Sequence, residues 1–494
     1  LVAAVERGIS GSATAWATVQ SSITNLSTWL TGFASAPQWG AYPREGTIGA
    51  GSDTGTLVGD LWTPGKDALG VVNQVSLDTL TSSRWYTIAG TAPSTTRTII
   101  EASIPAWGGF APNLYWNNWW GSWSSLSAVE DGSVSYYFGG GHSNGSNNSV
   151  INFNGLKLVW GVTALPSDPA NWSTAYKASA GSGSTTYPES ATAQQAEQTA
   201  GTLTATDDVS YDETQDTPRT PTARHTYESL VPVVSEGWLV MTCRRMWRLN
   251  IATGQWSQRR RIFDEVARGA VGDFDVSANY LDAENTISVY DESTGDIVTS
   301  SLGSTYGGNG RAVKYNVISE TWTAGSSVSS YGTNWQRNAN FKVRVGRVVY
   351  FFNMPAADNP SGGGGHDGWC GYLNLDTGVW TQTAMEATSG TGFQYSGGIS
   401  RATFRKRESG YDGSGGVYLP PIDRVWAHHW DASANNVMFE INLNTWPPTI
   451  SPAPTTGTPP VIEAYSKGKG VFVQALNSLV WFGGGDRNGS IYKF

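Results

Sequence analysis

One short pattern occurs four times with identical spacing in this chain of 494 residues, and it constrains the fold more than any other feature. An apolar or aromatic residue is followed by Asn, then by five residues, then by Trp. The four copies are Phe153 to Trp160, Leu249 to Trp256, Tyr315 to Trp322 and Leu373 to Trp380, and looser copies end at Trp85 and Trp446. Repetition on this scale predicts an array of similar structural units.

Each copy has the composition of a β-hairpin. Alternating apolar residues before the Asn predict a strand, and Asn or Asp with Thr-Gly behind it favours a tight turn. The Trp then opens the next strand and packs over its partner as a large aromatic surface. A second feature stands upstream of several copies, where a predicted strand runs into glycines: SYYFGGGHSNG (135–145), NPSGGGGHDG (359–368) and SLVWFGGGDRNG (478–489).

Together these motifs resemble the kelch-repeat family of β-propellers, which includes the central domain of galactose oxidase. In that family the glycines end the second strand of a blade, and the spaced aromatic residue and Trp mark the third and fourth strands. The resemblance covers roughly residues 75–494. It implies an all-β, kelch-like propeller. A further expectation is that the chain is a bacterial or phage structural protein of this type. That expectation rests on the general character of the sequence and on no shared motif.

The repeat also predicts how the ring is divided and closed. We expect six blades, with seven as the alternative. The last segment supplies three strands, Gly470–Ala475, Leu479–Gly483 and Ser490–Phe494, so the missing outer strand is expected from Trp85–Ile88. Such pairing removes open sheet edges. The tryptophans lie further apart than the roughly 50 residues of a kelch unit, which predicts insertions, the largest at about 164–220.

The N-terminal region differs from the rest. We assign residues 1–45 to an arm or anchor and residues 46–494 to the propeller. Ile23, Leu26, Trp29 and Leu30 recur at helical spacing, which predicts a short amphipathic helix outside the ring. Such a helix would either cap the propeller or attach it to other protein subunits.

Composition narrows the possible functions. The 59 Gly, 23 Trp and 21 Tyr beside only 14% charged residues indicate a folded chain rather than a disordered one. A net charge of −9 argues against nucleic acid as a partner. No run of 18 apolar residues occurs, so we expect no membrane insertion. Cys243 and Cys370 are expected as buried free thiols, although one bridge between them stays open.

Two groups of residues form the candidate binding surface. The first follows the glycine runs and comprises His142, Asn144, His366, Asp367 and Asp486. Side chains of this kind could converge on a metal, but they more often bond exposed backbone donors beside a glycine-rich turn, so we expect no metal or other cofactor. The second group is Trp116, Trp119 and Trp120, which suit a sugar ring, a protein interface or packing between blades.

Catalytic propellers require particular sets of active-site residues, and the sequence shows no clear sign of them. Copper-oxidase chemistry needs two His, two Tyr and a Cys crosslinked to one Tyr, and neither cysteine stands convincingly beside the His residues. LNLDTGVW imitates the sialidase Asp-box but lacks its final Thr and its spacing. His428 and His429 are neighbours in a predicted strand, so they cannot chelate together.

We therefore expect a non-catalytic structural or adhesive propeller that binds protein or surface glycan. Its expected location is extracellular, plausibly in a virion as a tail or decoration protein. The alternative is a secreted carbohydrate-active enzyme, either a glycosidase or a copper oxidase. An intracellular adaptor of the kelch type is a third option, although such adaptors usually carry a partner domain that has no counterpart in this sequence.

Overall fold

The protein is an all-β propeller of six blades in the computed structural model. The residues described are 57–58, 82–103, 120, 124, 126–138, 149–166, 226, 228–242, 247–258, 286–301, 311–327, 341–354, 369–382, 393–400, 415–430, 436–454, 459–460, 469–483 and 487–494. The prediction of six blades is confirmed. The predicted arm at 1–45 lies outside these residues, as does nearly all of the insertion at 164–220.

Two strands and one helix precede the first complete blade: β1 (Leu57–Val58), β2 (Arg84–Ala89) and α1 (Thr95–Ser103). Helix α1 packs beside the last strand of blade 1. Blade 1 contains β3 (Ser127–Ala128), β4 (Val134–Tyr137), β5 (Val150–Asn154) and β6 (Val159–Ala164). Blade 2 contains β7 (Leu230–Val233), β8 (Trp238–Met241), β9 (Trp247–Asn250) and β10 (Gln255–Gln258).

The remaining blades repeat this antiparallel order, except that the short first strand of blade 5 pairs parallel with its last strand. Blade 3 contains β11 (Thr286–Asp291), β12 (Asp296–Ser301), β13 (Arg311–Asn316) and β14 (Thr321–Ser327). Blade 4 contains β15 (Phe341–Val345), β16 (Val348–Asn353), β17 (Trp369–Asn374) and β18 (Val379–Gln382). Blade 5 contains β19 (Gln394–Tyr395), β20 (Gly415–Leu419), β21 (Arg424–Trp430), β22 (Asn436–Asn442) and β23 (Thr449–Pro452), and blade 6 contains β24 (Gly470–Val473), β25 (Ser478–Trp481) and β26 (Ser490–Lys493).

The eight-residue pattern forms the same hairpin in blades 1 to 4. Its first residue lies directly opposite its Trp across the third and fourth strands, as in the pair Phe153 and Trp160 and the pair Leu249 and Trp256. The same register holds for Tyr315 with Trp322 and for Leu373 with Trp380. The predicted hairpin is therefore confirmed as a repeated unit of the fold.

The Asn of the pattern holds the turn through its side chain. Asn154 Oδ1 accepts hydrogen bonds from the backbone N–H groups of Leu156 and Lys157, both at 3.0 Å. Asn374 repeats this arrangement at 2.9 and 3.1 Å with the two N–H groups of its own turn. A short amide side chain reaches these donors without leaving the strand end, which is why Asn stands at this position.

Two hairpins differ from the pattern. In blade 5 the looser copy ends at Trp446, which we expected to open the last strand, but Trp446 lies in the turn and is 37% exposed. Pro447 and Pro448 follow it and have no N–H for ladder bonds, so β23 begins only at Thr449. In blade 3 the inner hairpin uses the same turn with Asp291 in place of Asn, and Tyr290 pairs with Ile297.

The ring is closed by the two ends of the described chain. Strand β26 pairs antiparallel with β2, with Trp85 opposite Tyr492, and β2 thereby becomes the fourth strand of blade 6. Trp85 and Tyr492 stack at 5.3 Å, and Tyr492 also contacts Trp426 of blade 5 at 4.8 Å. The predicted closure between Ser490–Phe494 and Trp85–Ile88 is confirmed.

The core lies between the faces of adjacent sheets. At the border of blades 6 and 1, Phe482 packs against Phe153 at 4.8 Å and against Trp160 at 4.9 Å, with all three side chains buried. Buried Cys370 belongs to the core between blades 4 and 5, in agreement with the expected burial. Cys243 lies outside the described residues.

Ion pairs join neighbouring blades at the short hairpin turns. Asp291 of blade 3 is almost fully buried, and Arg347 of blade 4 donates two hydrogen bonds to its carboxylate at 2.5 and 2.9 Å. Burial raises the pKa of Asp291, but the hydrogen bonds from Arg347 and Ser293 outweigh it and bring the pKa to about 2. Arg347 also bonds the exposed Asp376 at 2.8 Å.

Removal of Arg347 and removal of its exposed partner Asp376 should have unequal effects. Arg347→Ala leaves the Asp291 carboxylate buried without its cation, so we expect a loss of about 3 kcal/mol in the free energy of unfolding. Asp376→Asn removes an exposed partner and should cost less than about 1 kcal/mol. Denaturant unfolding of both variants at pH 7 measures the difference. Equal losses of unfolding free energy in the two variants would contradict the conclusion that the bond to buried Asp291 is the stabilising one.

Candidate functional site

The two sides of the ring carry very different connections. On one side, here called the turn face, strands are joined by short turns such as 292–295, 346–347 and 375–378. On the other, here called the loop face, the first strand of each blade begins and the second strand ends, as the pairing of Gly470 with Trp481 shows. Apart from 242–246 and 431–435, the connections at the loop face are longer: 138–149, 165–229, 259–285, 302–310, 328–340, 354–368, 453–469 and 482–489. The segment 383–414 also leads from β18 to β20, but it contains the short strand β19.

Most of the residues predicted as a binding surface belong to these long connections. His142 and Asn144 fall in the connection between β4 and β5, His366 and Asp367 in that between β16 and β17, and Asp486 in that between β25 and β26. All five lie outside the described residues, as do Trp116 and Trp119. Their assignment to one binding surface stays a prediction.

Trp120 is the one predicted site residue that the structure describes, and it is fully buried. Its indole N–H donates to the carbonyl of Gly483 at 2.8 Å, and its ring contacts Tyr137 at 4.5 Å and Trp160 at 5.4 Å. Trp120 therefore takes the packing role that we weighed against ligand binding. Its side chain offers no surface to a ligand because it fills the core between blades 6 and 1.

A buried lysine lies next to Trp120 under the loop face. Lys469, only 1% exposed, precedes the first strand of blade 6, and its ammonium donates to the carbonyl of Ser124 at 2.5 Å. The same ammonium lies 5.1 Å from the ring centres of both Trp120 and Tyr137, within the range of cation–π attraction. Lys469 thus ties blade 6 to the start of blade 1.

A second lysine joins three blades near the same side. Lys342 of β15 donates from its ammonium to the carbonyl oxygens of Glu228, at 2.8 Å, and Ser288. The Glu228 carboxylate lies 3.8 Å from the same ammonium. Burial lowers the pKa of Lys342, while the Glu228 carboxylate raises it, and the net effect is a decrease. The backbone of blades 2 and 3 is thereby attached to blade 4.

Hydroxyl groups extend this buried polar layer. The Ser288 hydroxyl lies 2.5 Å from that of Thr242 and donates to that of Thr299 at 2.8 Å. Thr226 donates to the carbonyl of Phe138 at 3.0 Å, which connects blades 2 and 1. These groups bond to one another and to backbone, so this layer forms the rigid base from which the long connections leave.

The His pair also contributes to this base. His428 and His429 are consecutive, buried residues of β21, so their side chains lie on opposite faces of the sheet, in agreement with the prediction. His428 Nε2 lies 2.9 Å from the carbonyl oxygen of Pro460, which can only accept, so Nε2 carries the proton. No hydrogen-bond partner of His428 Nδ1 is found among the described residues. Burial, with a smaller contribution from His429, lowers the pKa of His428 to about 3 against the opposing effect of the Pro460 bond.

In the described part of the chain, no three His, Cys, Asp or Glu side chains are grouped as metal ligands. No helix in that part is long and apolar enough to cross a membrane.

Comparison with known proteins gives similarity to solved structures alone. No protein family and no curated protein matches the chain. Similar solved structures include a GH74 xyloglucanase from Xanthomonas campestris (11% identity, TM-score 0.37, 77% of this chain and 46% of that chain). Others are TolB from Acinetobacter baumannii (8%, 0.26, 74% and 64%) and a bifunctional GH43-CE protein from Bacteroides eggerthii (13%, 0.33, 71% and 37%). The chain thus spans less than two thirds of each of these structures, and the kelch resemblance stays a prediction.

Sequence reasoning missed the two lysines of the base. Lys342 lies in an ordinary alternating strand, and its acceptors lie 54 and 114 residues away. Lys469 is isolated between glycines in a polar stretch. The local sequence around either lysine is the same as that of a solvent-exposed lysine. Their burial becomes visible only when the blades are placed side by side.

The neutral, buried His428 should make the protein sensitive to acid. Its pKa is about 3 in the folded protein and about 6.5 when unfolded, so the unfolded chain binds one more proton between these values. Stability should therefore fall as the pH decreases through this window, by about 1.4 kcal/mol per pH unit for this one group. The His428→Gln variant keeps a donor for Pro460 but has no group that titrates in this window. Its free energy of unfolding should therefore fall less steeply with decreasing pH, by about 1.4 kcal/mol per pH unit. Denaturant unfolding from pH 7 to pH 4 measures it, and equal slopes would contradict the assignment.

Proposed function

We propose that this protein is a binding propeller whose ligand contacts are made by the long connections of its loop face. The observation that carries the proposal is the asymmetry of the ring. Short turns tied by Asn and Asp side chains occupy one face, and the long connections leave the other. Long segments on a rigid scaffold are where proteins usually carry binding function.

The buried base supports a scaffold role for the ring itself. Lys469 and Lys342 direct their ammonium groups to backbone carbonyls of neighbouring blades, where they hold the blades together. The proposed contact residues belong by sequence to the long connections: His142, Asn144, His366, Asp367 and Asp486. We propose a kelch-like origin for the blades on the strength of the repeated hairpins.

The proposed ligands are other protein subunits or surface glycans, in an extracellular or virion-associated assembly. A low content of charged residues and an abundance of Gly, Ser, Thr, Asn and Trp support this setting. Residues 1–45 are the proposed attachment to a neighbouring subunit. A carbohydrate-active enzyme, as the alternative, would use the same face but would release a product.

A combined variant tests the loop face. His142, Asn144, His366, Asp367 and Asp486 are replaced together by Ala, and binding to an array of neutral and acidic glycans is compared with the unmodified chain. We expect at least a tenfold loss of binding, because several polar contacts of about 1 kcal/mol each disappear. The matched control is Ile318→Ala with Glu236→Ala, two exposed side chains of the turn face, which should bind as the unmodified chain does.

The outcomes separate the hypotheses. Unchanged binding of every glycan on the array by the combined variant would contradict the loop-face proposal, and release of reducing sugar from any bound glycan would establish the enzyme instead. If no glycan binds, a chain lacking residues 1–45 is compared with the full chain for incorporation into its assembly. Unchanged incorporation together with an empty array would overturn the proposed function.

A further inference from the structure

Three aromatic side chains form a cluster on the turn face, at the border of blades 4 and 5. Tyr350 and Tyr372 lie opposite each other on β16 and β17, and Trp446 comes from the turn between β22 and β23. Ring centres are 5.9 Å apart for Tyr350 and Tyr372, 4.9 Å for Tyr372 and Trp446, and 6.2 Å for Tyr350 and Trp446. Trp446 is 37% exposed, and both tyrosines are half-buried.

A carboxylate lies in the turn next to this cluster. Asp423 accepts a hydrogen bond from the Tyr418 hydroxyl at 2.8 Å and another from the Asn444 amide at 2.9 Å. Asn444 and Trp446 belong to the same turn, so the aromatic cluster and the polar group share one support. The bonds from Asn444 and Tyr418 lower the pKa of Asp423, which therefore stays ionised and able to accept further hydrogen bonds at neutral pH.

The polar atoms of the cluster are available to a ligand. Within the described part of the chain, no hydrogen-bond partner is found for the hydroxyl groups of Tyr350 and Tyr372 or for the indole N–H of Trp446. Trp160 behaves differently, because its buried indole N–H donates to the carbonyl of Thr91 at 2.8 Å. Burial raises the pKa of Tyr350, and the nearby Tyr372 and Asp423 raise it further, so its hydroxyl remains a donor.

The geometry and the charge restrict what can bind. The rings contact one another, so nothing fits between them and a cage around a cation is excluded; a ligand must stack on their outer faces. Close to Asp423, the Arg424 guanidinium approaches the Glu440 carboxylate at 3.4 Å and lowers the pKa of Asp423. This arginine partly offsets the two carboxylates, which favours a neutral ligand over a strongly charged one.

We propose that this cluster is a saccharide-binding site, distinct from the loop face, for a neutral pyranose unit of a glycan chain. The apolar face of a sugar ring stacks on Trp446, whose ring stands at 82° to that of Tyr372. Its hydroxyl groups accept hydrogen bonds from the Tyr350 and Tyr372 hydroxyls and donate to the Asp423 carboxylate. A peptide is the less suitable ligand. The exposed large apolar residues among those described are few and belong to different strands and turns, so they do not reach the area of a protein interface.

The test uses affinity gel electrophoresis of the full chain in gels that contain β-glucan, xylan, galactomannan or dextran. The proposal predicts retardation by at least one of these neutral polysaccharides. Trp446→Ala should weaken that retardation at least tenfold. The double variant Tyr350→Phe and Tyr372→Phe keeps the rings and the fold but removes two hydroxyls, and it should weaken binding about fivefold or more. Val379→Ala, an exposed apolar residue of blade 4, is the control and should bind normally.

Several results would overturn the proposal. They are the absence of retardation in all four gels, retardation that both Trp446→Ala and the double Phe variant leave unchanged, and preferential binding of a Lys-rich peptide. The combined Ala variant of the loop face separates the two surfaces. It should keep the retardation if the cluster is an independent site, and it should lose it if the loop face alone binds the polysaccharide.

Discussion

The pairing of β26 with β2 is the constraint on which the rest of the structure depends. A ring of six sheets is stable only if the last blade is complete, and three of the five strands in its sheet come from the C-terminal end of the chain. The fourth comes from Arg84–Ala89, so an edge that would otherwise remain unpaired is covered. Tyr492 then connects this closed blade to blade 5 through Trp426.

Closure fixes the positions of all other contacts between blades. The bond from Lys469 to the start of blade 1 spans the border that exists only when the ring is closed. The bonds from Lys342 to blades 2 and 3 and from Arg347 to blade 3 join consecutive blades within the ring. Buried ionisable groups are costly unless they are paired, so these side chains favour one arrangement of the blades over others. The result is a rigid base on the loop face and a compact turn face.

The predictable parts of the fold were those that depend on local sequence. The hairpins of blades 1 to 4 follow from one pattern, because Asn bonds backbone groups only two or three residues away. The pattern failed at Trp446, where two prolines delay the strand. It also missed the inner hairpin of blade 3, where Asp291 and Ile297 replace Asn and Trp. Closure was predictable because the last blade visibly lacked a strand.

The candidate sites were harder to predict because their residues meet only in the folded ring. Trp120 was grouped with its neighbours Trp116 and Trp119 by sequence proximity, but its indole bonds Gly483 across the border of two blades. The cluster of Tyr350, Tyr372 and Trp446 joins separate turns, and no single segment shows it. The residues after the glycine runs remain predicted contacts.

Hydrogen–deuterium exchange at the two closing strands tests the central claim most directly. If β26 pairs with β2, peptides covering 84–89 and 490–493 should be protected to the same extent as Ser478–Trp481 of β25, and should exchange only when the whole ring unfolds. Exchange of 84–89 at the rate of an unstructured peptide, while β25 stays protected, would show that the ring is not closed in this way.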